Sequence, residues 1–221
     1  MAQRPNLTYL ITAGPTVEDL DPVRFISNRA TGKLGIEAAR EALRRGHQVI
    51  LVHGPISEEL LKRLPKSEGA KQRLNRTAVR SAREMNAACH AGLGSVDVVL
   101  MTAAVADFAP LRYSAAKLKK AVQGRVIRLK PTPDILKSLG EYKARRHPRL
   151  VLIGFALETG AGRGGARQES QLAEARRKLE RKNLDAIGQD TPEAMGADSA
   201  VFRVLARGER EGYLVSATKQ E

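Results

Sequence analysis

Two parts of this chain carry residue types that bind phosphate groups. Thr31, Gly32 and Lys33 stand directly before a stretch with helical periodicity. Their main-chain N–H groups would therefore lie at a helix N-terminus, where unpaired donors and the helix dipole favour an anion. Residues 117–120, with the sequence KLKK, form a lysine cluster that could close over a polyphosphate and neutralise charge on a leaving group. A solvated basic surface is the competing interpretation of this cluster.

A second pair of lysines lies in a predicted helix. Lys178 and Lys182 are four residues apart, so they share one helix face and could grip a phosphate from it. Glu174 and Glu180 lie on the same helix, and ion pairing within the helix is favoured by the spacing alone.

The common phosphate-binding and nucleophile motifs are missing. Residues 30–34 contain a Gly-Lys pair, but a P-loop requires glycine and a hydroxyl residue where this chain has Ser27 and Leu34. No GxGxxG follows the first predicted strand, and the chain has no GxSxG elbow. The four histidines are scattered and Cys89 is the single cysteine, so we predict no protein-built metal site. These residues indicate phosphate binding without a protein nucleophile.

The elements that must position these residues follow the order of a parallel α/β sheet. Residues 32–45 predict a helix with Ile36, Ala39 and Leu43 on its buried face, and Gly46 suits its C-terminal end. A charged helix is predicted for residues 168–182, and strands are predicted for residues 7–12, 48–52, 96–106, 150–155, 184–187, 200–206 and 213–217. The predicted fold class is α/β, a doubly wound, mostly parallel, Rossmann-like sheet that binds ligands at the carboxyl ends of its strands.

Two segments are harder to assign. Thr77 can cap a helix that buries Met85 and Cys89, which makes Cys89 a small core residue. Residues 108–133 are basic and rich in turns, and residues 126–129 could form an extra strand. We interpret this segment as a flap or a dimerisation contact.

Composition narrows the class of protein. The 221 residues are enough for a buried core, and we predict one domain over residues 1–221. Apolar residues make up 42% and charged residues 28%, which argues against a disordered chain and against a membrane protein. The net charge of +14 favours anionic partners, namely nucleic acid, a membrane surface or phosphorylated small molecules. One cysteine and no signal-like apolar segment favour a cytoplasmic location.

Several motifs together resemble the phosphopantothenoylcysteine synthetase family of coenzyme A biosynthesis. They occur in the family's order and are ITAGPT (11–16), DPVRFISN (21–28), TGKLG (31–35), VHGP (52–55), AAVADF (103–108), KLKK (117–120), TPDIL (132–136), GFALET (154–159) and KLERKNLD (178–185). The resemblance covers residues 7–185, and the combination is far more specific than any single motif.

The resemblance implies a two-step ligation. A nucleotide, CTP in the bacterial type, activates the carboxylate of 4′-phosphopantothenate as an acyl nucleotidylate, and the amine of L-cysteine then displaces CMP. Magnesium would arrive with the triphosphate, and the enzyme would be a homodimer without flavin. A separate phosphopantothenoylcysteine decarboxylase would act next in the pathway, and neither a membrane nor nucleic acid is expected as a partner.

The family's site residues carry over by motif. Asn28 and Lys117 would be the catalytic residues, with Asn28 holding either the acyl intermediate or the amide of phosphopantothenate. Phosphopantothenate would be bound by Arg24, Asn28, Thr31, Gly32 and Lys33. The nucleotide would be bound by Gly14, Ala103, Asp107, Lys117, Thr132, Pro133, Asp134, Ile135, Phe155, Lys178 and Lys182. No residue is assigned to a metal.

The chain departs from the family pattern at three places, and alternatives remain. Ala30 replaces a hydroxyl residue, residues 187–190 differ from the usual Val-Ala-Asn-Asp, and a closing C-terminal helix is not expected before Glu221. A degenerate or ATP-using relative, a basic nucleic-acid-binding module, and a nicotinamide- or flavin-dependent reductase are the competing hypotheses.

Overall fold

The computed structural model describes residues 6–120, 124–157, 165–190, 199–209 and 212–218. The strands of these residues are β1 (Thr8–Ala13), β2 (Val17–Asp19), β3 (Phe25–Ser27), β4 (Gln48–His53), β5 (Leu74–Ala78), β6 (Val98–Met101), β7 (Phe108–Pro110), β8 (Leu129–Pro131), β9 (Val151–Leu157), β10 (Ala186–Asp190), β11 (Ser199–Ala206) and β12 (Tyr213–Thr218). The α-helices are α1 (Lys33–Arg44), α2 (Glu58–Leu61), α3 (Glu68–Gln72), α4 (Ala82–Gly92), α5 (Ile135–Arg146) and α6 (Gly165–Arg181).

A central sheet organises the described part of the chain. Its eight strands have the order β12-β11-β10-β9-β6-β1-β4-β5. The strands from β10 to β5 are parallel to their neighbours, whereas β11 and β12 add an antiparallel hairpin at one edge. The predicted parallel α/β class is confirmed.

Helices pack on both faces of this sheet. Leu51 of β4 lies in an apolar cluster with Ile36 of α1, whereas the adjacent Val52 lies in a second cluster with Met85 of α4. Successive side chains of a strand point to opposite faces, so these clusters are the two layers of a doubly wound fold. The second cluster also contains apolar residues of α5 and α6.

The first β-loop-α unit agrees with its prediction. Ile36, Ala39 and Leu43 are buried on one face of α1, and Gly46 adopts a φ of 88° directly after the helix. Cys89 is fully buried in α4, as expected for a small core residue. Burial raises the pKa of its thiol to about 12.

Two predicted boundaries are wrong. Thr77 lies in β5 and does not cap a helix; Ser81 caps α4, and its hydroxyl accepts the Glu84 N–H while the Glu84 carboxylate accepts the Ser81 N–H. The strand predicted for residues 96–106 ends at Met101. Its apolar composition continues, but after Met101 the chain leaves the sheet and bonds to the end of β1.

The predicted flap is a short antiparallel hairpin with a long connection. Phe108 pairs with Pro131 and Pro110 with Leu129. The predicted strand at residues 126–129 is therefore displaced toward Pro131, and Val126 is 89% exposed. None of the helices in the described residues is long and apolar enough to cross a membrane.

Candidate active site

The loops that follow β1, β4 and β6 meet at the carboxyl edge of the sheet. The Ala104 N–H donates to the Gly14 carbonyl at 3.0 Å, and the Thr16 N–H donates to the Ala104 carbonyl at 3.2 Å. A Cβ added to Gly54 would lie 1.7 Å from the Pro15 carbonyl oxygen. The loops are therefore joined through their main chains. Gly14 lies at this junction, and Ala103, predicted inside the strand of residues 96–106, lies in the loop that follows β6.

The N-terminus of α1 opens onto the same junction. Gly32 precedes the helix with a φ of 86° and has no side chain to cap it, and the first turn of the helix has no acidic residue. The Thr31 hydroxyl accepts the Lys33 N–H at 3.3 Å. A Cβ on Gly32 would lie 3.0 Å from the Gly14 nitrogen and 2.7 Å from Ile56 Cδ1. The helix N-terminus, with Thr31 and Lys33 beside it, thus has the donors and the dipole direction to bind an anion next to Gly14.

Asn28 reaches the junction from the small β2–β3 hairpin. It follows β3, and its Nδ2 donates to the Ala104 carbonyl at 2.8 Å. The Ala104 carbonyl thus binds both Asn28 and the Thr16 N–H. This contact brings the predicted catalytic carboxamide beside Gly14 and Ala103, although it is 76 residues from Ala104 in sequence.

The hairpin that carries Asn28 is anchored on α4. The buried Glu18 carboxylate accepts the Ala82 N–H at 2.8 Å, and Arg80 donates two hydrogen bonds to Asp19, at 2.9 and 2.6 Å. The Arg80 hydrogen bond lowers the pKa of Asp19. The Arg80 guanidinium also lies 5.8 Å from the centre of the Phe25 ring. This anchor leaves no local pattern in the sequence, because its partners are far apart in the chain.

The lysine cluster at residues 117–120 is attached to the turn that joins β2 and β3. The Leu118 N–H donates to Asp21 Oδ2 at 3.1 Å, and Arg24 Nη2 donates to the Leu118 carbonyl. Arg24 Nη2 also lies 3.2 Å from Asp21 Oδ2. The side chains of Lys117 and Lys119 are exposed. The structure thus joins Arg24 to the lysine cluster, and it reveals Asp21, to which the sequence analysis gave no role.

Asp21 is an ionised carboxylate inside this contact. Its side chain is fully buried. Burial raises the pKa of the carboxyl, but N–H groups donated by Val23, Leu118 and Arg24, together with the Arg24 charge, outweigh burial and hold the pKa below its ordinary value.

A further group of predicted residues lies at the N-terminus of α5. The Thr132 N–H donates to the Asp107 carbonyl at 3.0 Å. Asp134 caps α5 by accepting the Lys137 N–H at 3.0 Å, and Lys182 Nζ lies 2.8 Å from Asp134 Oδ1. The segment before α5 is connected to the junction through Ala106, whose carbonyl accepts the Thr132 hydroxyl and whose N–H donates to the Thr16 hydroxyl. Pro133 lies between Thr132 and Asp134, and Ile135 is buried below them.

Phe155 and Lys178 lie further out. Phe155 is half-buried near the carboxyl end of β9, directly beyond the last residue that β9 pairs with β6, and its ring meets Phe202 edge-on at 6.0 Å. Lys178 Nζ lies 3.8 Å from Glu174 Oε1, so the ion pair weighed from the spacing is present. In the described part of the chain, no three His, Cys, Asp or Glu side chains are grouped to hold a metal ion.

Comparisons with known proteins identify relatives of this fold. The family model described as the DNA/pantothenate metabolism flavoprotein C-terminal domain matches residues 5–221. The chain is 42% identical over 177 residues to a cysteine/cysteine sulfinic acid decarboxylase from an unknown prokaryotic organism, covering 80% of this chain and 44% of that protein. It is 41% identical over 188 residues to the coenzyme A biosynthesis bifunctional protein CoaBC of Bacillus subtilis strain 168, covering 85% of this chain and 41% of that protein.

A solved structure matches over nearly its whole length. The crystal structure of the C-terminal domain of coenzyme A biosynthesis bifunctional protein CoaBC has a TM-score of 0.69 and 31% identity, covering 100% of this chain and 90% of that chain. The chain thus spans less than half the length of the curated relatives described above, but it corresponds to almost all of this domain.

Proposed function

Because this chain belongs to the family of the DNA/pantothenate metabolism flavoprotein C-terminal domain, we propose that it joins 4′-phosphopantothenate to L-cysteine in coenzyme A biosynthesis. The observation that carries this proposal is the junction at Gly14. The Asn28 carboxamide is bonded there to the Ala104 carbonyl at 2.8 Å, and the N-terminus of α1 approaches the same junction through Gly32, next to the Gly14 nitrogen. An amide that can orient an acyl group beside an anion site suits a ligase that activates a carboxylate with a nucleotide.

The first step of the proposed reaction is nucleotidyl transfer. A carboxylate oxygen of 4′-phosphopantothenate attacks the α-phosphorus of CTP, forming a C(O)O–P bond, and the bond to pyrophosphate breaks with its electron pair leaving on pyrophosphate. Lys117 stabilises the charge that develops on the nucleotide phosphates, while the N-terminus of α1, with Thr31, Gly32 and Lys33, binds 4′-phosphopantothenate. Magnesium bound to the triphosphate, whose oxygens are ligands that it prefers, would supply further neutralisation, and no residue of the chain is assigned to hold it.

The second step forms the amide. The amine of L-cysteine attacks the acyl carbon, the bond to the CMP oxygen breaks, and the amine loses a proton. Asn28 donates one amide N–H to Ala104, which fixes the plane of the carboxamide. Its other N–H and its oxygen can then orient the acyl group for attack, so Asn28 acts by positioning.

Lys182 and Asp134 support the nucleotide end of the site. Their 2.8 Å ion pair holds the lysine ammonium at the N-terminus of α5. We assign Asp107, Thr132, Pro133, Ile135 and Phe155 to the nucleoside side. We propose that this side of the site prefers cytidine, so that CTP is used in preference to ATP. The homodimer and the separate decarboxylase remain predictions.

Pyrophosphate release tests the proposal. The protein is mixed with magnesium and 4′-phosphopantothenate, with CTP or ATP, and with or without L-cysteine. We expect pyrophosphate with CTP, and CMP and phosphopantothenoylcysteine once cysteine is added. If neither nucleotide gives pyrophosphate, the ligase proposal is rejected, and the basic nucleic-acid-binding module becomes the hypothesis to test.

Two variants separate the steps. Asn28→Asp replaces the N–H that bonds to Ala104 with a second oxygen, so we expect pyrophosphate release to continue while amide formation stops. Lys117→Gln removes a positive charge from the triphosphate side, so we expect pyrophosphate release itself to fall. The residue assignments fail if either variant makes the final product at the parent rate.

A further inference from the structure

The turn between β2 and β3 is built around the Asp21 carboxylate. Asp21 Oδ1 accepts the N–H groups of Val23 and Arg24, each at 2.8 Å. The Leu20 N–H and the Asp21 N–H donate to the Arg24 carbonyl at 2.8 and 3.1 Å. The bonds from Val23 and Arg24 use the carboxylate oxygen Oδ1 and leave the other oxygen, Oδ2, directed out of the turn toward residues 117–120.

Asp21 and Arg24 bind the N–H and the carbonyl of a single residue, Leu118, and so hold the two peptide groups that flank it. Asp21 Oδ2 accepts the Leu118 N–H at 3.1 Å, and Arg24 donates to the Leu118 carbonyl. The Ser114 N–H donates to the Leu20 carbonyl at 3.0 Å, which gives the same turn a second contact with this segment. We call this arrangement the Leu118 clamp. It acts on the main chain and leaves the lysine side chains on either side of Leu118 exposed.

We propose that Asp21 is a positioning residue, which through the Leu118 clamp sets the place of Lys117 relative to Asn28. This inference rests on the proposed function, because it assigns Lys117 to nucleotide activation and Asn28 to the acyl group. The turn is continuous with β3, and Asn28 directly follows β3. One short segment therefore bonds to both halves of the site, Ala104 through Asn28 and Leu118 through Asp21.

The clamp has a physical advantage over a direct contact to the lysine. An exposed lysine has many rotamers, and an ion pair that fixed its ammonium would compete with the phosphate for the same charge. Fixing the peptide groups on either side of Leu118 restricts where the Lys117 ammonium can go and leaves its charge available to the phosphate. Such positioning lowers the ordering cost of nucleotide activation.

Asp21→Asn removes the hydrogen bond from the Leu118 N–H and the negative charge that faces Arg24 Nη2 at 3.2 Å, with little change of shape. The new side-chain oxygen can still accept the N–H groups of Val23 and Arg24, but the NH2 group cannot accept the Leu118 N–H. The matched control is Asp97→Asn, which makes the same chemical change at an exposed carboxylate at the opposite edge of the sheet. Asp97 accepts the Thr8 N–H through one oxygen, at 2.8 Å, and the amide oxygen of asparagine can keep that bond.

The first readout is independent of activity. In the parent protein the Leu118 amide should exchange its hydrogen at least about 100-fold more slowly than in an unstructured peptide, because its acceptor is buried. Asp21→Asn should abolish most of this protection and speed tryptic cleavage after Lys117, whereas Asp97→Asn should change neither. An unprotected Leu118 amide in the parent protein would overturn the clamp without any assay of ligation.

The second readout tests coupling to the reaction. Asp21→Asn should slow CTP-dependent pyrophosphate release by about tenfold or more, since a displacement of about 1 Å at a reacting group can cost 100-fold. In a Lys117→Gln background the same change should have little further effect, because Asp21 acts through Lys117. Equal losses in both backgrounds would mean that Asp21 supports the fold alone, and the inference would be wrong.

The two proposals fail in different ways. If the parent protein releases no pyrophosphate, the ligase proposal fails while the exchange of Leu118 still tests the clamp. If the parent protein is active and Asp21→Asn exposes Leu118 without slowing pyrophosphate release, the ligase proposal stands and the positioning role of Asp21 is overturned.

Discussion

Gly54→Ala is the substitution whose effect follows most directly from the geometry of the site. An alanine Cβ at this position would lie 1.7 Å from the Pro15 carbonyl oxygen and 2.8 Å from the Pro15 carbonyl carbon. A carbon normally approaches such an oxygen to about 3.3 Å, so the two main chains must separate by roughly 1.6 Å. No side chain can rotate away, because both atoms that clash belong to the backbone.

The structure sets the size of the effect. Overpacking usually costs about 1–3 kcal/mol, and we expect about 2–3 kcal/mol here because the Gly54 N–H is also held by the Ala13 carbonyl. For a chain of this length, each kcal/mol lowers the melting temperature by about 2–4 °C, so the expected decrease is about 4–12 °C. The moving loop includes Thr16, which shares the Ala104 carbonyl with Asn28, and a shift of about 1 Å there can cost 100-fold in rate.

Thermal unfolding followed by circular dichroism, together with the pyrophosphate assay, measures both effects. Gly94→Ala is the control, because a Cβ at Gly94 would meet no heavy atom within 4 Å; we expect no loss of stability and unchanged activity. A Gly54→Ala variant that melts within about 1 °C of the parent protein and keeps the parent rate would refute the expected clash with the Pro15 carbonyl.

Three further predictions concern other parts of the molecule. Burial raises the pKa of Asp134, but the Lys182 ammonium, the Lys137 N–H and the Arg181 charge together outweigh it and hold the pKa below the ordinary 3.8. Lys182 makes the largest of these contributions, so Lys182→Gln should raise the pKa of Asp134 in a carboxyl NMR titration. The ion pair should stabilise the fold fully above about pH 4, and this contribution should disappear as the pH falls through the lowered pKa; an unchanged Asp134 titration would contradict it. Ser81→Ala removes the acceptor of the Glu84 N–H and should lower the free energy of unfolding in urea by about 1 kcal/mol; an unchanged midpoint would exclude a role for the cap. Cys89, fully buried with its pKa raised to about 12, should react with a thiol reagent at pH 8 only as fast as the protein unfolds, and rapid labelling of the native protein would disprove its burial.

Local patterns were sufficient for most of the sheet and the first helix. The alternation of short apolar runs with an amphipathic segment reflects burial of both faces of parallel strands, so it can be read without long-range information. The face of α1 that contains Ile36 and Leu43 and the glycine after it were predicted correctly for this reason. The start of α4 was predicted wrongly because Thr77 and Ser81 are both residue types that cap helices. The capping box with Glu84 distinguishes them.

The site could be predicted only in part. Strand-end positions such as Gly14 follow from the general geometry of parallel α/β sheets. Ala103 was assigned to the site by its family motif, because the apolar pattern had placed it inside a strand. The contact of Asp21 with Leu118 joins residues 97 positions apart, and neither residue is unusual in its local sequence. Likewise, the strand predicted through residue 106 ends early because the Thr12 hydroxyl accepts the Ala103 N–H, at 3.1 Å. Such contacts depend on the arrangement of distant segments and leave no local pattern.

The position of β1 in the sheet has a consequence for biosynthesis. β1 is made before its partners, yet it lies between β4 and β6, with Tyr9 paired to Val49 on one side and to Val98 on the other. At about 5–20 residues per second, the ribosome needs roughly 5–20 s after Tyr9 to deliver Val98. During this interval one edge of an apolar strand is open to pairing with other chains. We therefore expect chaperones that cover β1 until β6 has emerged to raise the yield of native protein. Slow translation should help less, because it lengthens the interval during which β1 is open.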